Sequence, residues 1–254
     1  MTIPSRGARR RRWLRVTWAV GSLFVVESVV VALAALPAVA FWSWHVGWPV
    51  RSFVVRVVVL AMAFVPTYLL FAAGLAFHSA VATRLLGWRT APGLQARVAD
   101  YEWPLLDWGR YLVMTHLVRV LAGAVFRSTP MWGMYLRLNG ARVGRGAWVN
   151  SLGLMDHNLL DIGDHTVIGS DAHVAGHIVE GGVLRTAPVR LGRDVTIGIG
   201  SVIEIGVTVG DGAQVGALSV VPKHARLEPG VVYAGAPVRP LRRGAHSRSA
   251  SGGP

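Results

Sequence analysis

Residues 191–220, cut into sixes, read "LGRDVT IGIGSV IEIGVT VGDGAQ VGALSV". The first place of each six is Leu, Ile or Val, and the second is Gly except at Glu204. The fifth place is small or β-branched: Val195, Ser201, Val207, Ala213, Ser219. The rhythm continues through VPKHAR, LEPGVV and YAGAPV to Val238. Upstream it recurs in IGDHTV, IGSDAH and VAGHIV, residues 162–179, and more loosely from Val143, Val149 and Met155. A six-residue period is the signature of a parallel β-helix. Three short strands make one triangular coil of about 18 residues. The aliphatic residue points into the prism and stacks on its equivalent one coil on, so each coil relies on its neighbours for a core. Residues 143–240 leave room for about five coils.

After Val179 the rhythm fails for eleven residues, EGGVLRTAPVR, and resumes at Leu191. One six is recoverable from residues 185–190, which predicts a bulge of about five residues, 180–184, at a corner of the prism. His177 stands just before it. A neutral imidazole is a natural proton acceptor near neutral pH, so His177 is the first candidate for a general base. Glu180 is the candidate to orient its ring or to hold an ammonium group. His157, in the segment MDHN about one coil earlier, comes second, and Asp156 and Asn158 are candidates to line the same cleft. His165, His173, His224 and His116 rank below these. His165 and His177 are expected on different faces, and no histidine pair stands one coil apart, so no metal site is expected. The glycines follow the hexad, which accounts for them without a phosphate-gripping loop. Arg185, Arg190 and Arg193 read as phosphate contacts or as solvated corners.

The N-terminal third has another character. Hydrophobic residues make up 52% of the chain and charged residues 15%, with a mean hydropathy of +0.45, which points to membrane-embedded segments. The net charge of +13 gathers largely in the terminal tails, so it does not call for nucleic acid. With no cysteine, disulfides, thiolate metal sites and cysteine nucleophiles are excluded. Apolar runs at 16–41 and 53–77 exceed the core of a signal peptide and predict a two-helix transmembrane hairpin over 16–78. Trp13 and Trp18 flank one end, and Trp42, Trp44 and Trp48 the other. Arginines crowd the tail 1–15 and return at Arg84, Arg89 and Arg97, while the loop WSWHVGWP has none, so both ends of the hairpin and all that follows are expected in the cytoplasm. Glu27 is expected mid-membrane at the depth of Tyr68, hydrogen-bonded to the neighbouring helix, with Arg56 snorkelling. Residues 79–142 predict an irregular linker and then a basic amphipathic helix carrying Arg110, Arg119 and Arg127 on the anionic leaflet, or else a third span. The tail 241–254 is expected to be disordered.

These repeats resemble the hexapeptide-repeat acyltransferase family. YAGAPVRPLRR, 233–243, is similar to the closing Gly-x-Pro-Ala-Lys/Arg segment of those enzymes, with Val238 where Ala is usual. More narrowly, TPMWGMYLRLNGARVG, MDHNLLDIGDHTVIG and GHIVEGGVLRTAPVRLG, within 129–240, resemble the membrane-attached C-terminal regions of ε-poly-L-lysine synthetase-like nonribosomal peptide synthetases. His177 and Glu180 match a His-x-x-Glu-Asp pattern there, with Gly181 in place of the Asp. The resemblance implies an all-β left-handed parallel β-helix preceded by an α-helical membrane domain. It implies a homotrimer with a cleft between subunits and a histidine base beside the loop. It also implies acyl or aminoacyl transfer from a pantetheine thioester to an amine or hydroxyl, as in peptide-bond formation. Coenzyme A or a carrier protein would bring the thioester as co-substrate, with Gly235, Pro237 and Arg239 as its binding residues and no tightly bound cofactor. Adenylation and carrier modules are not in this sequence, so an acyl or peptidyl carrier protein or a nonribosomal peptide synthetase is an expected partner, beside membrane lipids. The alternative is a non-catalytic trimeric β-helix scaffold that recruits a synthetase to the membrane.

Overall fold

The computed structural model describes residues 6–241. The first five residues of the basic tail and the expected disorder of 242–254 lie outside the described residues. Two long helices, α1 (Arg6–Val46) and α2 (Phe53–Leu85), pack along each other, and both are long and apolar enough to cross a membrane. The basic tail is mostly helix, since α1 begins at Arg6, and Arg12 pairs with Asp100 at 2.9 Å. The two helices approach closely where small residues meet: a Cβ on Gly74 would lie 3.1 Å from the Ala34 Cα. That contact sets the levels and corrects one expectation. With Ala34 opposite Gly74, Glu27 and Tyr68 lie on opposite sides of this crossing and not at one depth. Tyr68 instead donates to the carbonyl of Leu121 at 2.5 Å. Arg56 bends back to the loop and donates to the Val50 carbonyl at 2.9 Å.

Next come α3 (Trp103–Val118), a π-helical turn (Arg119–Gly123), α4 (Ala124–Phe126) and α5 (Pro130–Leu138). Pro104 and Pro130 fit the starts of α3 and α5, where a backbone N–H has no intrahelical partner. The expected basic outer face of α3 is not found. Arg110 is buried, its guanidinium 4.7 Å from the Trp88 ring centre and 3.0 Å from Ser22 Oγ, and it pairs with Asp107. Arg119 reaches Met155 Sδ at 2.9 Å and Arg127 reaches Asn150 at 3.0 Å. The arginines turn toward the protein because polar and aromatic partners wait there.

The hexads build a prism with three parallel faces. Trp148, Val167, Thr196, Gln214 and Val232 stack on one face, and Arg142, Asp161, Arg190, Thr208 and Arg226 on the second. His173, Val202 and Val220 stack on the third. Inside, the first-place residues Ile168, Ile197, Ile203 and Val221 and the fifth-place residues Thr166, Val195, Ser201 and Ala213 are all buried. Both places therefore point inward, the large side chain filling the prism and the small one fitting its corner. Those corners are tight: a Cβ on Gly163 would lie 2.4 Å from the Gly192 carbonyl oxygen one coil on. The helical segments share this core. Phe126, Trp132, Tyr135 and Leu136 join Leu154, Leu160 and Ile162 in one buried cluster, which seats the first coils on the helices.

The break is larger than its sequence suggests. Thr196 pairs with Gln214, 18 residues on, but with Val167, 29 residues back, so this coil is eleven residues longer. Residues 185–190 do not supply a normal hexad. His177–Glu180 and Val183–Thr186 form an antiparallel hairpin that leaves the prism. Gly181 and Gly182 at its tip have φ of 56° and 73°, a two-residue turn that residues with a Cβ resist. The linker is irregular up to Leu94, but Gln95–Arg97 then adds to the hairpin as a third strand, Gln95 opposite Arg185.

Candidate active site

His177 is the first residue of the hairpin and sits where the chain leaves the prism. Its Nδ1 lies 2.5 Å from Asp156 Oδ2. Asp156 is buried, in the left-handed backbone region at φ 53°, on the coil below. Four donors converge on its carboxylate. Thr90 Oγ1 donates to Oδ1 at 2.7 Å and Trp108 Nε1 at 3.2 Å; the Gly176 N–H donates to Oδ2 at 3.1 Å, beside His177 Nδ1. A carboxylate is acceptor-only, and this one is fully engaged. With Nδ1 donating to Asp156, the lone pair of the neutral ring resides on Nε2. The side chain of His177 is 18% exposed, so the ring is held by the protein yet reachable. Trp108 closes one side, its ring edge-on to the imidazole at 5.0 Å. Thr90 is fixed in turn: its N–H donates to Asn158 Oδ1 at 3.2 Å and its carbonyl accepts from Asn158 Nδ2 at 2.8 Å.

The other candidates lie elsewhere. Glu180 neither orients the ring nor stands beside it. Its carboxylate accepts from Lys223 Nζ at 2.6 and 2.7 Å, with Arg185 at 3.9 Å. The Lys223 hydrogen bond holds the Glu180 carboxyl below the usual carboxylate range. His157 does not line the cleft either. It is buried beside Tyr111, Trp132 and Tyr135, and its Nε2 donates to the Leu154 carbonyl at 3.1 Å. Burial pushes its pKa down to about 4. His173 is exposed, facing outward opposite Val202. His165 and His224 occupy corners at positive φ, and His116 accepts from Arg119 at 2.7 Å on the outside of α3. Arg193 is committed to Asp211 at 2.8 Å. Gly235 donates to Ser219 Oγ at 3.1 Å, and its carbonyl accepts from the Val220 N–H at 2.9 Å. Pro237 follows in a cis peptide and lies with Gly235 beyond Val220, at the far end of the third face, whereas Arg239 pairs back against Ala234 at the edge of the first face. Of the named residues, the structure joins His177 to Asp156 and Asn158 through Thr90. Thr90 and Trp108 carry no sequence signal; only the folded linker and α3 bring them in.

No protein-family model matches the chain. Over 108 residues it is 36% identical to galactoside O-acetyltransferase of Escherichia coli, covering 39% of this chain and 52% of that protein. Over 114 residues it is 26% identical to δ-poly-L-ornithine synthetase of Acinetobacter baumannii, covering 45% of this chain and 9% of that protein. The chain thus spans about half the length of the first relative and a small part of the second. A hexapeptide-repeat acetyltransferase of Vibrio cholerae, solved also with acetyl coenzyme A, is 28% identical, covering 41% of this chain and 62% of that one at a TM-score of 0.38. A galactoside acetyltransferase solved with coenzyme A is 26% identical, covering 43% and 68% at a TM-score of 0.34. In its hexads and in sequence the β-helix is thus similar to hexapeptide-repeat acyltransferases. The likeness to the synthetase accords with the narrower resemblance seen in the sequence.

Proposed function

We propose that this protein is a membrane-anchored acyltransferase that moves an acyl or aminoacyl group from a pantetheine thioester to an amine or hydroxyl. The hydrogen bond from His177 Nδ1 to buried Asp156 carries the reading, because a ring so fixed offers Nε2 as base. His177 Nε2 takes the proton of the acceptor as its nitrogen or oxygen attacks the thioester carbonyl. Asp156 holds the ring and compensates the imidazolium charge that forms. The tetrahedral intermediate expels the thiolate, which takes that proton from His177, leaving an amide or ester and a free thiol. Gly235, Pro237 and Arg239 are the residues proposed to hold the thioester's pantetheine arm. The likeness to a poly-ornithine synthetase favours an amine acceptor and peptide-like bond formation, with a carrier protein or coenzyme A as donor. The two long apolar helices support an anchor, and the arginine-poor loop between them favours a cytoplasmic β-helix. A homotrimer is proposed on the family's likeness.

The test is release of free thiol from acetyl coenzyme A by the nanodisc-embedded protein over a panel of amines and alcohols. His177→Ala is expected to slow release by about 10²–10⁴-fold, the usual worth of general-base help, at an unchanged melting temperature. Equal thiol release by wild type and variant would leave the scaffold reading in its place.

A further inference from the structure

Helix α3 is apolar on both sides: it buries Leu105, Tyr111, Met114 and Val118 together with Arg110, and the side turned away from the protein is apolar as well. Its outer stripe, continued through the π turn and α4, presents Val113, Val120 and Ala124, with His116 as the polar member. Arg110 faces the protein against Trp88 and Ser22, and Arg119 spans from Met155 to the outward His116. A helix on a water-facing surface keeps its outer side polar or charged, whereas one that is apolar all round is buried or in a membrane. Charges turned inward and valines turned outward are what hydrocarbon requires. The stripe is also continuous with a surface already fit for lipid. Tyr68 on α2 bonds Leu121 in the π turn at 2.5 Å. Exposed apolar side chains of α2 run from Phe53 to Leu85, 33 residues. At about 1.5 Å per residue they span about 50 Å, well beyond about 30 Å of bilayer hydrocarbon, so this apolar surface outlasts a simple crossing. The opposite side of α3 meets the site: Trp108 lies about 140° around the helix from Val113 and packs on His177.

We propose that α3 and the turns after it run beside the hairpin into the bilayer, from Arg110 at the level of Ser22 to Leu121 at Tyr68, with Val113 and Val120 in lipid, and that His177, beside Trp108, therefore works at the bilayer edge on an amphipathic acceptor. That acceptor is an amine or hydroxyl head group carried on a hydrocarbon chain. The acceptor half rests on the acyl-transfer reading; the placement of α3 does not.

The chain has no cysteine, so single cysteines report cleanly. Val113→Cys and Val120→Cys, labelled with a nitrobenzoxadiazole dye in nanodiscs, are expected to be quenched by nitroxide-bearing lipids as strongly as Val58→Cys on α2. Val202→Cys on the β-helix should stay unquenched. Labels at 113 and 120 that behave like the one at 202 overturn the placement. So do disulfides between protomers at 113, which would give that face to a second copy of the chain. The second arm follows thiol release from acetyl coenzyme A with ethylamine against dodecylamine and methyl against dodecyl glucoside. The long-chain partner should win by about tenfold or more in kcat/KM. Equal rates within both pairs overturn the amphipathic acceptor and leave acyl transfer standing. No release with any of them overturns the transfer reading and the acceptor with it, while the quenching still decides α3.

Discussion

Asp156 and His157 are neighbours in sequence with opposite fates. The first is buried under four donors at the edge of the site, and the second is buried among aromatics where the helices meet the β-helix. Burial sets the pKa of His157 at about 4 in the folded protein, against an ordinary 6.5. Between those values the folded chain keeps the ring neutral while the unfolded chain binds a proton. Stability is therefore complete above pH 6.5 and falls as the pH drops toward 4. Melting temperatures of wild type and His157→Gln, compared from pH 7 to 4, should show a shallower decline in the variant; parallel declines would mean His157 is not the group responsible. The place of Asp156 was legible, since one coil separates it from Gly176 and His177. The pairing was not. Glu180 looked like the partner because it is three residues away, but on a strand that spacing puts two side chains on opposite faces. Thr90 and Trp108 were beyond reach, being joined to the site only by tertiary folding.

At the scale of elements, the hexad period read the prism well because burial enforces it at two places in every six. Ile168 is fully buried. Ile168→Asp would put an unpaired charge in the prism and should abolish cooperative unfolding of the β-helix, followed by circular dichroism. A variant that melts like wild type would contradict the packing described. The hairpin is larger than the sequence shows because Val189 and Leu191 keep an aliphatic rhythm after it, which imitates a hexad. Its turn depends on two glycines at positive φ. Gly181→Val should loosen the tip and speed proteolytic nicking there, while the prism's melting temperature moves little; an unchanged nicking rate would argue against this turn. The inward turn of Arg110 and Arg127 is not legible in the sequence, because charge alone does not say which side of a helix holds partners.

For the whole molecule, composition and apolar length made the two long helices plain, whereas their seating on the first coils was not. It arises from Trp132, Tyr135 and Leu136 closing the end of the prism, which no local pattern announces. A reporter active only in the cytoplasm, fused after Pro254, should be active, because the arginines flank the hairpin on that side. Activity only of an exported reporter would reverse the topology. In detergent the particle should have the mass of three chains at micromolar concentration; a monomer would count against the proposed trimer and its intersubunit cleft.

The central claim is that Asp156 and His177 act as one unit. The measurement that tests it most directly is thiol release by His177→Ala, Asp156→Asn and the double variant, each checked for an unchanged melting temperature. If the aspartate works only through the histidine, the double variant loses no more than His177→Ala alone. Losses that multiply in the double variant, or full activity in Asp156→Asn, would contradict the account.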